Sequence, residues 1–387
     1  KASFPEAMGL VVLEGAAMVV LAVSGMRELI FKAIPLELKK AIAIGIGLFI
    51  AFIGLYNSGI IASDASTGTP VQLGSFTTWP IFVAIFGLVF TFALRAIRFR
   101  GDLLVGIVGT TIVATIINKA TDYSAFGADG SHGAVWPGWH NLYASPDFHL
   151  LGNISLNSFS AGQLGIIASL VWVFSLFLSD FFDFSGTAIG VGKQAGYVDQ
   201  DGNIPKFKKA LIVDGLAAAA GGAASSSSAT TFIESGSGVA AGGRTGWVAV
   251  VAGLLFLPFM FISPLIGMVP PEATAAALVV VGWLMISTLT EYEGEAEGEE
   301  GGHSVPSKLA GIDFHDLAIG LSAALAIMVM PFTYSITNGI GFGFITYTLI
   351  CAARREWKRI HPFMWVVSGA FVLYFLVPVL QQHISWF

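Results

Sequence analysis

The chain has 387 residues, of which 55% are hydrophobic and only 11% charged, with a formal net charge of −6. A soluble globular domain carries roughly 25% charged residues, so most of this chain has no water to face and a length-based count of soluble domains does not apply. No basic stripe marks a nucleic-acid partner, and the single cysteine, Cys351, excludes an intrachain disulfide.

A bilayer-spanning helix needs about 20 mostly apolar residues. Candidate spans fall at 7–26, 37–57, 79–97, 102–118, 163–192, 207–224, 245–268, 272–289, 314–332, 334–352 and 362–381. The chain starts at Lys1, and the first span begins almost at once, without the basic region and cleavage site of a signal peptide. Residues 221–243, GGAASSSSATTFIESGSGVAAGG, are too polar and too rich in Gly and Ser for a lipid-facing helix, yet too apolar for a plain loop. Six glutamates crowd into 291–300, and this acidic stretch within 290–302 reads as a solvated linker with no chemistry.

Basic residues stay on the cytoplasmic side of a membrane. Arg27, Lys32, Lys39 and Lys40 follow the first span, Arg95, Arg98 and Arg100 the third, and Lys193, Lys206, Lys208 and Lys209 the fifth. Arg354, Arg355, Lys358 and Arg359 follow the 334–352 span. The connection 119–162, with Trp136, Trp139, His132, His140 and His149, is placed outside. The alternation holds through 334–352 if residues 221–243 cross the membrane once. A faint internal repeat relates Pro35, Glu37, Ala41 and Gly47 to Pro270, Glu272, Ala276 and Gly282 at the same spacings, a kind of symmetry that transporters often carry.

Two stretches hold the chemistry. The first is LFLSDFFDFSGTAIGVG in the fifth span, where Asp180 and Asp183 lie three residues apart on one helical face. A carboxylate at membrane depth is costly unless it meets a cavity or a partner, so it marks function by default. A bond to a neighbouring helix is the competing role, more so for Asp180 than for Asp183. The second is SSSSATTFIESGSGVAAGGRTG, where a short β-type run, Thr230 to Ile233, leads into Glu234 and a second half-helix. Non-helical backbone at membrane depth survives only where protein or a watered cavity satisfies it, and broken helices aim their free ends at a midplane substrate. Glu234 also suits a helix start. A planar base with ring N–H and exocyclic donors fits a carboxylate that accepts two hydrogen bonds, and Phe181, Phe182, Phe184 and Phe232 stand close by for stacking. Asp214 and Glu14 read as interhelical hydrogen-bonding residues. No His, Cys and Asp set has metal-ligand spacing, and no phosphate-binding loop supports ATP-driven pumping.

With these motifs in view, the chain resembles the nucleobase–cation symporter family of xanthine and uracil permeases, and within it the AzgA-like hypoxanthine/adenine/guanine branch. The resemblance rests on SGMRELIFKAIP with KKAIAIGIGLFIAFIGLYNSGI, on SDFFDFSGTAIGVGKQAG, on ATTFIESGSGVAAGGRTG and on MPFTYSITNGIGFGFITY, and so runs over essentially the whole chain. It implies an all-α membrane protein of fourteen segments in two inverted repeats, with a core domain sliding against a gate domain. Asp183 takes the place of the acidic residue of the eighth segment and Glu234 that of the glutamate of the tenth. Both would bind the base, with Ile233 and Ser235 offering backbone groups and Thr231 and Phe184 beside them; Asp183, Glu234 and Asp180 are the candidates for holding the coupling ion.

On that reading, residues 1–118 correspond to segments four to seven, 119–162 form the outer loop, 163–244 carry the site on segments eight to ten, and 245–387 complete the second repeat with gate segments and a trailing helix. The motif of the family's first three segments, Pro-Gly-x-Gly-x-Asn, appears nowhere; the simplest account is an N-terminally incomplete chain. The resemblance implies symport of a purine base across the cytoplasmic membrane, with a proton or sodium gradient as driving force and no cofactor. Its partners would be the base, a coupling cation and the bilayer; homo-oligomerisation is compatible with the sequence and not specified by it. An anion carrier of the same general fold is the alternative. No nucleophile–base constellation supports an enzyme.

Overall fold

The computed structural model describes residues 3–24, 33–64, 69–128, 132–138, 141–159, 165–197, 206–232, 235–240, 242–290, 308–309 and 312–383. The chain divides into two compact units, Lys1–Ile46 with Phe148–Gly236 and Met285–Phe387, and Gly47–Asp147 with Ser237–Leu284. In chain order the helices are α1 (Phe4–Ser24), α2 (Leu36–Asn57), α3 (Trp79–Ala96), α4 (Asp102–Ala120), α5 (Gly165–Gln194), α6 (Phe207–Ala223), α7 (Ser235–Ala240), α8 (Trp247–Phe259), α9 (Ser263–Ile266), α10 (Pro271–Thr290), α11 (Leu317–Thr333), α12 (Ile336–Ala353) and α13 (Pro362–His383).

Every span expected from the sequence contains a helix, and among the described residues six are long and apolar enough to cross a membrane. The expected span 245–268 is not one helix. It breaks after Phe259, because Pro258 in the last turn cannot donate to the ladder and Pro264 starts the short α9. A hairpin also stands where no strand was expected: β1 (Ile61–Asp64) pairs antiparallel with β2 (Thr69–Leu73), Ile61 opposite Leu73.

In the first unit, α1 and α6 cross antiparallel on small residues. A Cβ on Gly15 would come within 2.6 Å of the Gly215 carbonyl, and one on Gly222 within 2.9 Å of the Val12 nitrogen. Such contacts drive helix association where lipid removes the hydrophobic incentive. α11 and α12 form a second close pair. Tyr334 turns the chain at φ 53°, Ser335 caps α12 by accepting from the Asn338 N–H, and Gly343 lies against Ala326. α5 joins them, with Ser175 bonded to Thr337 at 3.3 Å and Phe174 edge-on to Phe371. The largest wholly buried rings, Phe181, Phe184, Phe344 and Phe371, fill this unit.

In the second unit, α3 and α4 cross on Gly87 against Thr110 and Thr91 against Gly106. The Arg95–Asp102 ion pair, 3.0 Å, ties the turn between them. Gly282 closes on Gly47 and Ala51, and Gly54 on Ala275. The repeat-related glycines therefore meet face to face, on stretches of α2 and α10 that run antiparallel. Buried Asn118 folds the following loop around itself, donating to the carbonyls of Gly127 and Ala134 and accepting from the Phe126 N–H.

The outward surfaces match a bilayer. α8 buries none of its side chains and presents Leu254, Leu255 and Phe256. The exposed side chains of α4 include Leu104, Val108, Ile112 and Ile116, while its buried positions are Gly106, Thr110, Thr111, Ala114 and Asn118. A helix in lipid turns its large apolar residues outward and its small or polar ones inward.

Candidate functional site

Long helix α5 delivers both aspartates of the fifth span. Asp180 is 7% exposed and accepts a hydrogen bond from the Ser228 hydroxyl at 3.2 Å. Asp183, one turn on, is half-buried. Phe184 packs edge-on against Phe207, ring centres 5.1 Å apart, which fixes that turn of α5 beside the start of α6.

After α6 the chain abandons helix, and residues 227–232 follow an irregular path before α7 begins at Ser235. Asp214 supplies what the broken helix lacks. One of its oxygens accepts from the Thr231 backbone N–H at 3.0 Å, from the Thr231 hydroxyl at 3.1 Å and from the Thr230 hydroxyl at 3.4 Å. An unpaired backbone group at membrane depth would cost several kcal/mol, so this carboxylate is the anchor of the break. Its other oxygen, Oδ2, is buried and has no hydrogen-bond partner among the described residues.

Glu14 completes the group. The close α1–α6 crossing at Gly15 and Gly215 places the residues that precede them, Glu14 and Asp214, on the same level of the unit. Glu14 is 1% exposed and faces Asp180, Asp214 and Ser228. Neither of its oxygens meets a partner in hydrogen-bonding geometry among the described residues. Three buried carboxyls from three helices thus surround one end of the broken segment. Next to them, Phe184, Asp214, Ala217, Thr230 and Thr231 line an open recess of about 470 Å³ with Lys206 and Lys209, within the roughly 300–1,000 Å³ span of small-molecule pockets.

Of the site residues expected from sequence, Thr231 and Phe184 line this recess, and Asp180 is tied to the broken segment through Ser228. Ser235 opens α7 and is exposed. Ile233 and Glu234 lie outside the described residues, as do Arg27, Lys32, Trp139, His140 and the acidic stretch 291–302. The expected β-type run pairs with a carboxylate rather than a strand among the described residues. Asp214 and Glu14, read from sequence as interhelical bonds, prove to be core members of the acidic group. Asp214 does bond between elements, but to the broken segment. The signal available for it was an aspartate among alanines and glycines shortly before a Ser/Thr-rich break.

Helices turned inside out for lipid, a broken helix held by a buried carboxylate and a recess at that break are the features of a multi-span membrane protein. The model of the permease family, that of the xanthine/uracil permeases, matches residues 1–295. The chain is similar to the putative permease MJ0326 of Methanocaldococcus jannaschii, with 35% identity over 370 residues, 96% of this chain and 76% of the relative. It is 34% identical to the guanine/hypoxanthine permease PbuG of Bacillus subtilis over 97% of this chain and 76% of that protein. It is also 34% identical to the adenine permease AdeP of Escherichia coli over 95% of this chain and 73% of that protein. The chain therefore belongs to the xanthine/uracil permease family and is a multi-pass membrane protein.

Proposed function

We propose that this chain carries purine nucleobases across the cell membrane by alternating access, in symport with a cation. The observation that carries the reading is the match, over nearly the whole chain, to relatives whose names specify guanine/hypoxanthine and adenine transport. The buried carboxyls and the Phe184 ring beside the recess suit such a substrate. Purines offer ring N–H and exocyclic donors on an edge, and a carboxylate can accept two of them at once. In this account Asp183 and Glu234 take the edge of the base, the backbone at Ile233 and Ser235 contributes further groups, and Thr231 and Phe184 border the site. Asp214 holds Thr230 and Thr231 in place. The coupling cation, a proton or a sodium ion, is held by acids of this region, for which Asp183, Glu234 and Asp180 are the candidates.

Uptake of radiolabelled hypoxanthine and uracil into cells expressing the full-length gene tests this, alongside Glu234→Gln and Asp183→Asn. The expected result is saturable purine uptake that both substitutions abolish with surface expression intact. Uptake untouched by either change would remove the site assignment, and no nucleobase uptake at all would favour an anion carrier.

A further inference from the structure

Glu14 takes no part in the binding scheme above, yet it is the most deeply buried acid of the described residues. The groups that face it come from the two helices packed on α1. They are Asp180 of α5 and Asp214 of α6, with the Ser228 hydroxyl of the broken segment. The loop residues around Ser155, which cover Gly9 of α1, add no titratable side chain. Lys206 and Lys209 are exposed at the rim of the recess that Asp214 lines, and Lys208 is engaged with the Val23 carbonyl. Among the described residues, none of these cations forms an ion pair with the three acids.

An ionised carboxylate needs donors or a counter-charge when it leaves water. Asp214 has three donors on one oxygen and Asp180 has the Ser228 hydroxyl, but neither oxygen of Glu14 has a partner in hydrogen-bonding geometry among the described residues. Like-charged carboxyls sharing one site cannot all ionise together, and the usual outcome is a proton held between them. A metal ion fits less well, since no three acidic, His or Cys side chains converge closely enough to ligate one among the described residues.

We propose that Glu14 is the carrier of the coupling proton. This rests on the reading of the chain as a base transporter. A proton from the outer water forms one O–H bond at the Glu14 carboxylate; that bond breaks when the site opens inward, and the same proton enters the inner water. Asp180, which faces Glu14, holds Ser228, so the charge on Glu14 acts on a residue that, beside the anchor Asp214, helps fasten the broken segment. That contact is the link between proton and substrate.

The test uses full-length protein in liposomes, radiolabelled hypoxanthine as the probe and a pH-sensitive dye trapped inside. With one proton per base, an inward gradient of one pH unit drives about tenfold accumulation in the wild type, with matching internal acidification. Glu14→Gln mimics the protonated acid. It should lose that roughly tenfold accumulation and its pH dependence, while hypoxanthine exchange at equal pH stays within about threefold of wild type. Asp180→Asn should flatten the pH profile in the same way. Full gradient-driven accumulation by Glu14→Gln would overturn the proposal. So would wild-type accumulation driven by sodium without acidification, which would leave base transport standing. If Glu14→Gln loses exchange too, Glu14→Asp decides: restored proton-driven accumulation supports the assignment, and a folded Glu14→Asp variant without it overturns the assignment. A wild type that neither binds nor exchanges hypoxanthine would instead remove the base-transport reading beneath it.

Discussion

Two helix crossings in this molecule use the same packing device for different ends. In the second unit, Gly87 and Gly106 let α3 and α4 approach through Thr110 and Thr91. The polar groups there are neutral hydroxyls: Thr110 turns its own back to the Gly106 carbonyl at 2.7 Å, while the buried Thr91 hydroxyl has no partner among the described residues. In the first unit, Gly15 and Gly215 bring α1 and α6 together backbone against backbone, but their chain neighbours are Glu14 and Asp214. Small residues fix how near two helices come; the residue beside the glycine decides whether the crossing is inert or becomes a site. A neutral hydroxyl costs less in lipid than a carboxyl, which demands partners; the broken segment supplies them to one oxygen of Asp214 and, among the described residues, to neither oxygen of Glu14.

The comparison can be broken most directly at Asp214. Asp214→Leu removes the acceptor for the Thr231 N–H, and leaving that group buried and unpaired should cost about 1–3 kcal/mol. We expect a lower melting temperature in detergent and no nucleobase uptake; wild-type uptake would show that the anchor is dispensable. Next come Gly15→Val and Gly106→Val. Both force atoms into occupied space at an expected cost of about 1–3 kcal/mol each, the former more because it strikes backbone rather than a side chain. Per folded molecule, only Gly15→Val should lose transport, and equal losses would erase the distinction between the crossings.

Smaller effects sharpen the contrast. Ser228→Ala and Thr110→Val each remove one hydroxyl and should each change stability by no more than about 1 kcal/mol. Ser228→Ala should nevertheless shift the pH profile of uptake, through Asp180, while Thr110→Val leaves it as it was. The smallest effect is expected at Asp316, which precedes α11, caps it and pairs with Arg354 and Arg359. Partial burial pushes its carboxyl up, but the Arg359 guanidinium and the Ala318 N–H outweigh that and hold it below the usual value. Its stabilisation is therefore present above the unfolded carboxyl range near pH 4 and fades as pH falls through the lowered value. Asp316→Asn should cost under about 1 kcal/mol at neutral pH and flatten acid sensitivity in a melting series from pH 7 to 3.

The sequence made the helices legible because apolar runs of membrane length are hard to read otherwise. It also marked the break at 221–243 through its Gly and Ser content. Pro258 was the visible cause of the split in the seventh span, but hydropathy averaged over it. The β1–β2 hairpin was hidden by shortness, with Ile61, Val71 and Leu73 too few to outweigh a loop. At the site, Asp180 and Asp183 were legible by helical spacing. The Asp214–Thr231 bond spans 17 positions across a helix end, and the approach of Glu14 to Asp180 joins distant helices; no spacing rule within one helix reaches either. Their roles came into view only when the Gly15–Gly215 crossing fixed which faces meet.

The central claim is that the acidic site of the first unit takes a purine. It is tested most directly by equilibrium binding of radiolabelled hypoxanthine to purified full-length protein, with guanine, adenine, uracil and sulfate as competitors. We expect saturable binding that at least one of the other purines displaces, that sulfate leaves untouched and that Asp183→Asn abolishes. Displacement by sulfate, or no hypoxanthine binding by a folded protein, would contradict the account.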